Sequence, residues 1–125
     1  MTERSLVSCD LLCLDLPHAE AIRTSLPHQR AVQSAALAAK ALGDPTRLVI
    51  ATSLRGGAEL CVCDMAWVVG AAQNLVSHHL RQLKNAALVD SRRDGKLVMY
   101  RLTELGEHLT TAILAPATAK EADHV

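Results

Sequence analysis

Apolar residues recur at helical spacing along most of the chain, and β-prone runs are confined to residues 88–102. Stripes of apolar residues three or four positions apart predict helices that each bury one face. Three such stripes are continuous enough to define a helix. In chain order they are Leu48, Ala51 and Leu54, then Leu75, Val76, Leu80 and Leu83, and finally Leu102, Leu105, Leu109, Ala112 and Ile113.

Turn-forming residues divide these stripes into separate helices. Gly43 can end one helix, Asp44 can cap the next, and Pro45 suits its first turn. Gly56 and Gly57 end that helix, and Gly70 is the turn between two further helices at about 63–69 and 73–86. Earlier helices are predicted at about 18–26 and from Pro27 to Leu42. The second of these is rich in alanine, which suits a dimer contact and a tight core equally well.

The sequence Asp94-Gly95 lies between two β-prone runs, 88–92 and 97–102, and predicts a hairpin. A last helix is expected from about Thr103 until Pro116 ends it. This order of elements predicts a winged helix-turn-helix fold, mainly α with a β-hairpin wing. The predicted divisions are an N-terminal arm (1–17), a winged helix-turn-helix domain with dimerisation helices (18–116) and a frayed tail (117–125).

The formal net charge is zero, but the charges are unevenly distributed. Residues 73–102 hold six basic and two acidic residues, a local charge of +4, whereas 1–26 carry −2 and 103–125 carry −3. A basic stripe in a neutral protein is typical of a surface that faces DNA, although a solvated hairpin would also carry it. No apolar run is long enough to cross a bilayer and no secretory signal is evident, so we expect a cytoplasmic protein.

The combination of turn and wing favours DNA binding over a merely solvated helix. Polar side chains on the second helix of the unit can contact base edges in a major groove, and hairpin cations can contact phosphates. The predicted DNA contacts are Gln73, Asn74, Ser77, His78 and Arg81 on the helix, and Arg92, Arg93 and Lys96 on the hairpin.

The four cysteines form two close pairs, Cys9 with Cys13 and Cys61 with Cys63. A lone cysteine is most often a small buried hydrophobic residue, but two pairs with none elsewhere are harder to explain that way. A Cys-x-Cys pair would form a strained disulfide. Four thiolates around one ion suit zinc, cadmium or lead, and redox-active thiols are the main alternative.

Four motifs in this order resemble the ArsR/SmtB family of metal-sensing repressors, and the resemblance covers about residues 30–115. They are Ala41-Leu-Gly-Asp-Pro-Thr-Arg-Leu48, Glu59-Leu-Cys-Val-Cys-Asp64, Val76-Ser-His-His-Leu80 and Asp94-Gly-Lys-Leu-Val-Met-Tyr-Arg101. Within the family the chain is most similar to cadmium and lead sensors, which also carry a Cys-x-x-x-Cys pair in an N-terminal arm. The resemblance implies a homodimer in which the arm of one subunit reaches the Cys-x-Cys pair of the other.

Two departures from the family pattern bear on the inducer. Arsenic sensors often carry a third cysteine after the pair, where this chain has Ala66. Many zinc sensors have a second site across their C-terminal helices, built from Asp, His, His and Glu. Here His108 matches one member, but Gly106, Ala119 and Ala122 stand where the others belong, so that site is expected to be missing.

The function that follows is a repressor that binds operator DNA as a dimer and is released by cadmium, lead or zinc. An arsenite- or redox-responsive repressor using Cys61 and Cys63 is the alternative. A thiol enzyme is least favoured, because no Cys-x-x-Cys begins a helix and no nucleophile–base pair is evident.

Overall fold

Six helices, one short 3₁₀ turn and one hairpin make up the part of the chain that the structure, a computed structural model, describes, which is residues 14–123. The chain divides into two compact units after Val32. The helices are α1 (Leu16–Ser25), α2 (Gln29–Ala41), α3 (Pro45–Ser53), α4 (Val62–Val69), α5 (Gln73–Asn85) and α6 (Glu104–Asp123). The strands are β1 (Val89–Asp94) and β2 (Leu97–Leu102), and the 3₁₀ turn is Arg55–Gly57.

Local capping chemistry explains where several helices begin and end. The Asp15 side chain accepts the N–H of His18 at the start of α1, and Asp44 does the same for Arg47 at the start of α3. Each of these helices has a proline in its first turn. Gly70 ends α4 in the left-handed conformation, with φ of 72°. The caps predicted from Asp44, Pro45 and Gly70 are therefore confirmed.

The core of the second unit lies among α3, α4 and α5, the last two of which form the helix-turn-helix. Its largest fully buried side chains include Ile50 from α3, Leu54 just after that helix, Met65 from α4, and Leu80 and Leu83 from α5. Aliphatic side chains and alanine dominate this core, as expected for a chain in which only 2% of residues are aromatic. Burying each large side chain contributes about 1.5–3 kcal/mol to folding.

The hairpin pairs β1 and β2 in antiparallel register from Val89 opposite Leu102 to Asp94 opposite Leu97. The first predicted run ends at residue 92, and this end is wrong, because β1 continues through Asp94 and the turn contains only Gly95 and Lys96. Gly95 has φ of 65°, and a two-residue hairpin turn with positive φ matches the twist of the strands. The mainly α fold with a β-hairpin wing is confirmed.

The last helix continues past the point where it was predicted to end. Thr103 caps its start: the Thr103 hydroxyl oxygen accepts the N–H of Gly106, and the hydroxyl donates to the carbonyl of Ala87. Pro116 lies inside α6, which extends to Asp123, so the prediction that Pro116 ends the helix is wrong. A proline removes one helical hydrogen bond and weakens a helix, whereas alanine, which stands on both sides of Pro116, has the highest helix propensity.

Candidate DNA interface and metal centre

Helix α5 places the predicted DNA contacts on its outer side. Gln73, Asn74, His78 and Arg81 are exposed and Ser77 is half-buried. The opposite side of the helix is formed by Val76, His79, Leu80 and Leu83, all of them buried. Polar and apolar residues thus separate on α5 as a DNA-contacting helix requires.

Two residues of α5 differ from expectation. Leu75, predicted to be buried, is 43% exposed, because it lies about a quarter-turn away from the row that runs through Val76, Leu80 and Leu83. His79 instead completes that row and is only 8% exposed. Its Nδ1 lies 3.4 Å from Nη1 of Arg47. Burial holds the pKa of His79 below its usual value; the positive charge of Arg47 acts in the same direction and Asp44 opposes it.

Arg92 is the wing cation whose surroundings the sequence did not predict. Arg93 and Lys96 are exposed, and so is Arg92, but Glu59 binds the guanidinium of Arg92 along one edge. The Glu59 carboxylate accepts Arg92 Nε at 3.0 and 3.2 Å and Nη2 at 2.6 Å. These hydrogen bonds lower the pKa of Glu59 and raise that of Arg92. Glu59 lies just before the Cys-x-Cys pair, and nothing in the spacing of the sequence identifies its partner.

The two thiols of the Cys-x-Cys pair have different environments at the start of α4. Cys61 is the residue that caps the helix and is 7% exposed, whereas Cys63 lies in the first turn and is exposed. Both are free thiols. Within residues 14–123 no group of three or more His, Cys, Asp or Glu side chains could hold a metal ion. Soft thiol sulfur suits a soft ion, but this pair needs ligands from elsewhere to complete a four-coordinate site.

The other predicted thiol ligands, Cys9 and Cys13, lie outside the described residues. On the same face as Cys63, one helical turn later, α4 presents Trp67, the only tryptophan of the chain. Its side chain is 86% exposed. A large aromatic surface is therefore available beside the exposed thiol.

The position of Gly106 on α6 has a packing reason. A Cβ atom at this position would overlap the backbone carbonyl oxygen of Leu88 and crowd the side chain of Leu102. No metal-ligating side chain can therefore stand at 106 unless α6 moves away from the hairpin. His108, the one residue that matches the second site of zinc sensors, is exposed.

An apolar groove of about 530 Å³ lies between α2 and α6. Its walls include Ala35, Ala38 and Ala39 on one side and Leu105, Leu109 and Ile113 on the other. Leu105 and Ile113 are 44% and 45% exposed, so the stripe predicted on the last helix is only partly covered within one chain.

Residues 44–91, which include the helix-turn-helix and the thiol pair, match the model of the bacterial regulatory protein arsR family. The cadmium resistance transcriptional regulatory protein CadC of Listeria innocua serovar 6a is 43% identical over 84 residues, which are 61% of this chain and 71% of that protein. The chain belongs to the ArsR family. A second ArsR-family relative, the transcriptional repressor SmtB homolog of a Synechocystis species, is 38% identical over 92 residues, 71% of this chain and 69% of the relative.

Solved structures agree with this ArsR-family fold. The homodimeric winged helix-turn-helix DNA-binding domain Mb0332 of Mycobacterium bovis superimposes with a TM-score of 0.66 at 28% identity, covering 81% of this chain and 94% of that one. The protein is thus a DNA-binding transcriptional repressor of the ArsR family, whose members are regulators and not enzymes. No helix in the described part of the chain is long and apolar enough to span a membrane.

Proposed function

We propose that this protein is a metal-released repressor that binds operator DNA as a homodimer through α5 and the wing. Cadmium, lead or zinc bound by Cys61 and Cys63 of one subunit, together with Cys9 and Cys13 of the other, would release it. The observation that carries the proposal is the position of the thiol pair at the first turn of α4, the helix joined to α5 by one tight turn. A relative named for cadmium resistance supports the choice of ion.

The homodimer would use the groove between α2 and α6. Its lining is almost entirely apolar, and an exposed apolar surface of this kind marks an interaction site. The homodimeric state of Mb0332 supports a second copy of this chain as the occupant. In such a dimer the two α5 helices would meet successive major grooves of the operator.

The DNA contacts proposed for each subunit differ in kind. Exposed side chains of α5 would contact base edges, and the wing cations would contact phosphates and supply the salt-dependent part of the affinity. The proposed contacts are Gln73, Asn74, Ser77, His78, Arg81, Arg92, Arg93 and Lys96.

Titration of the reduced protein with cadmium tests the metal site directly. Thiolate-to-cadmium charge-transfer absorbance should appear with one ion per subunit, and it should fall by about half or more in the double variant Cys61→Ser, Cys63→Ser, which keeps only Cys9 and Cys13. His108→Gln serves as the matched control, because it removes the exposed histidine of α6 and leaves the thiols in place. Charge-transfer absorbance of wild-type intensity in the double serine variant would refute Cys61 and Cys63 as ligands.

A redox-responsive repressor is the second candidate, favoured by the exposure of Cys63 beside the buried Cys61. Peroxide added to metal-free protein distinguishes the two. Release from operator by peroxide, with no release by cadmium, would replace the metal proposal.

Arsenite can be tested in the same operator-release assay. Position 66, where arsenic sensors often carry their third cysteine, holds a buried alanine in this chain.

A further inference from the structure

Leu60, immediately before the thiol pair, is hydrogen-bonded to the wing. Its N–H donates to the carbonyl of Tyr100 at 3.1 Å, and the N–H of Tyr100 donates back to Leu60 at 2.9 Å. This reciprocal pair adds one residue to the free edge of β2. Because Cys61 is the next residue, a displacement of its backbone acts directly on the strand that forms half of the wing.

The upstream end of the same segment is attached to a different element. One carboxylate oxygen of Glu107, on α6, accepts the N–H groups of Gly56 at 2.7 Å and Gly57 at 3.1 Å. Both glycines have positive φ, 78° and 84°, which any other residue adopts only with strain. The turn before the thiols is therefore fixed to α6, and a movement of Cys61 has to be taken up by residues 58–60.

Glu59 lies in the middle of those three residues and binds Arg92 of the wing. The contact uses two guanidinium nitrogens, so it fixes the orientation of Arg92 as well as its distance. The side chains are 26% exposed for Glu59 and 53% for Arg92. An ion pair that water reaches contributes little to stability. Breaking this pair should therefore leave the fold intact, and an effect on regulation can be measured separately.

We propose that Glu59 is the positioning residue through which an ion bound at Cys61 and Cys63 changes the orientation of Arg92 on the DNA-facing wing. The inference rests on the proposed function, and it adds the route by which the bound ion reaches the DNA surface. An ion that draws the two thiols together moves the backbone at 59–60. Hydrogen bonds weaken steeply with angle, so the guanidinium turns with the carboxylate and meets its phosphate poorly.

The test measures the operator Kd with and without cadmium for wild type, Glu59→Gln and Asp90→Asn. In wild type the ratio of the two Kd values is expected in the usual allosteric range of about 5–150-fold. Glu59→Gln should reduce that ratio by at least about threefold, while cadmium affinity and charge-transfer absorbance of the DNA-free protein stay at wild-type values. Asp90→Asn is the matched control, since it makes the same charge change on the exposed side of β1 and should leave the ratio unchanged.

A double-mutant cycle distinguishes transmission through the pair from a general effect on the wing. Arg92→Lys keeps the positive charge for phosphate but loses the two-nitrogen contact with Glu59. It should reduce the cadmium ratio as Glu59→Gln does, and the double variant should reduce it no further than either single variant. Additive reductions in the double variant would overturn the proposal.

The outcomes separate this inference from the proposed function. Wild-type protein released by cadmium, with a Glu59→Gln variant released to the same extent, would overturn the role of Glu59 alone. Wild-type protein that binds no cadmium at its thiols, or stays on the operator when it does, would overturn the proposed function and this route with it.

Discussion

His79 shows how one side chain can make stability depend on pH. It is the only histidine buried within the described residues, and it lies against Arg47, with Asp44 and the neighbouring His78 contributing charge nearby. A neutral imidazole accepts a hydrogen bond from the Arg47 guanidinium through Nδ1, whereas a protonated one would place two cations side by side. The fold therefore favours neutral His79.

The sign of the resulting pH dependence follows from the lowered pKa of His79. In the unfolded chain His79 has the ordinary histidine pKa of about 6.5, so it binds a proton more readily there than in the folded chain. Stability should be complete above about pH 6.5 and fall as the pH drops from there towards the folded pKa. The free energy of unfolding, obtained from urea titrations between about pH 8 and pH 5, measures this pH dependence. His79→Gln should flatten the profile, and His78→Gln, on the exposed side of α5, should not. A profile unchanged by His79→Gln would show that the dependence arises elsewhere.

At the scale of the element, mutations in α5 and in the wing should change operator binding in different ways. Arg81→Ala or His78→Ala should weaken operator binding by about 1–3 kcal/mol if the side chain contacts a base, and should leave cadmium affinity unchanged. Neutralising Arg93 or Lys96 should instead reduce the dependence of affinity on salt concentration. Arg55→Ala, an exposed cation outside both elements, is the control. Electrophoretic mobility shifts at several salt concentrations give both quantities, and unaltered affinity and salt slope would refute the assignment.

The elements could be predicted because their signals are local. The caps at Asp44 and Gly70 and the hairpin turn at Gly95-Lys96 depend on residues a few positions apart, so the sequence shows them directly. The end of α6 was not predictable in the same way, because a proline disfavours a helix interior without excluding it, and Pro116 lies inside α6. The Glu59–Arg92 pair joins residues 33 positions apart, and its geometry depends on how the hairpin folds back beside α4. No periodicity in the chain encodes that contact.

At the scale of the whole molecule, the proposed dimer can be tested at its apolar groove. Ile113→Glu places a charge in the wall between α2 and α6, and burying an unpaired charge there should shift the protein towards monomer. Val49→Glu, at a residue of similar exposure on α3, is the matched control. Sedimentation velocity across a concentration series measures the change. A dimer that tolerates Ile113→Glu as well as Val49→Glu would place the interface on another surface.

The proposed arm gives a prediction that involves both subunits. Deleting residues 1–14 removes Cys9 and Cys13 and should leave operator binding intact while greatly weakening release by cadmium or lead. The physical reason is that two thiolates remain per ion in place of four. Fluorescence anisotropy of labelled operator during metal titration provides the measurement. A truncated protein that leaves DNA at the same metal concentration as the full chain would assign the switch to Cys61 and Cys63 alone.

The exposed Trp67 gives the molecule an optical property of its own. It is the single source of indole fluorescence, and it stands one helical turn from Cys63 on the same face of α4. Heavy ions quench an excited indole at short range. Lead or cadmium bound at the thiols should therefore decrease the tryptophan fluorescence intensity of the unlabelled protein. Binding could then be followed in real time, on the operator or off it, with no dye attached to either molecule.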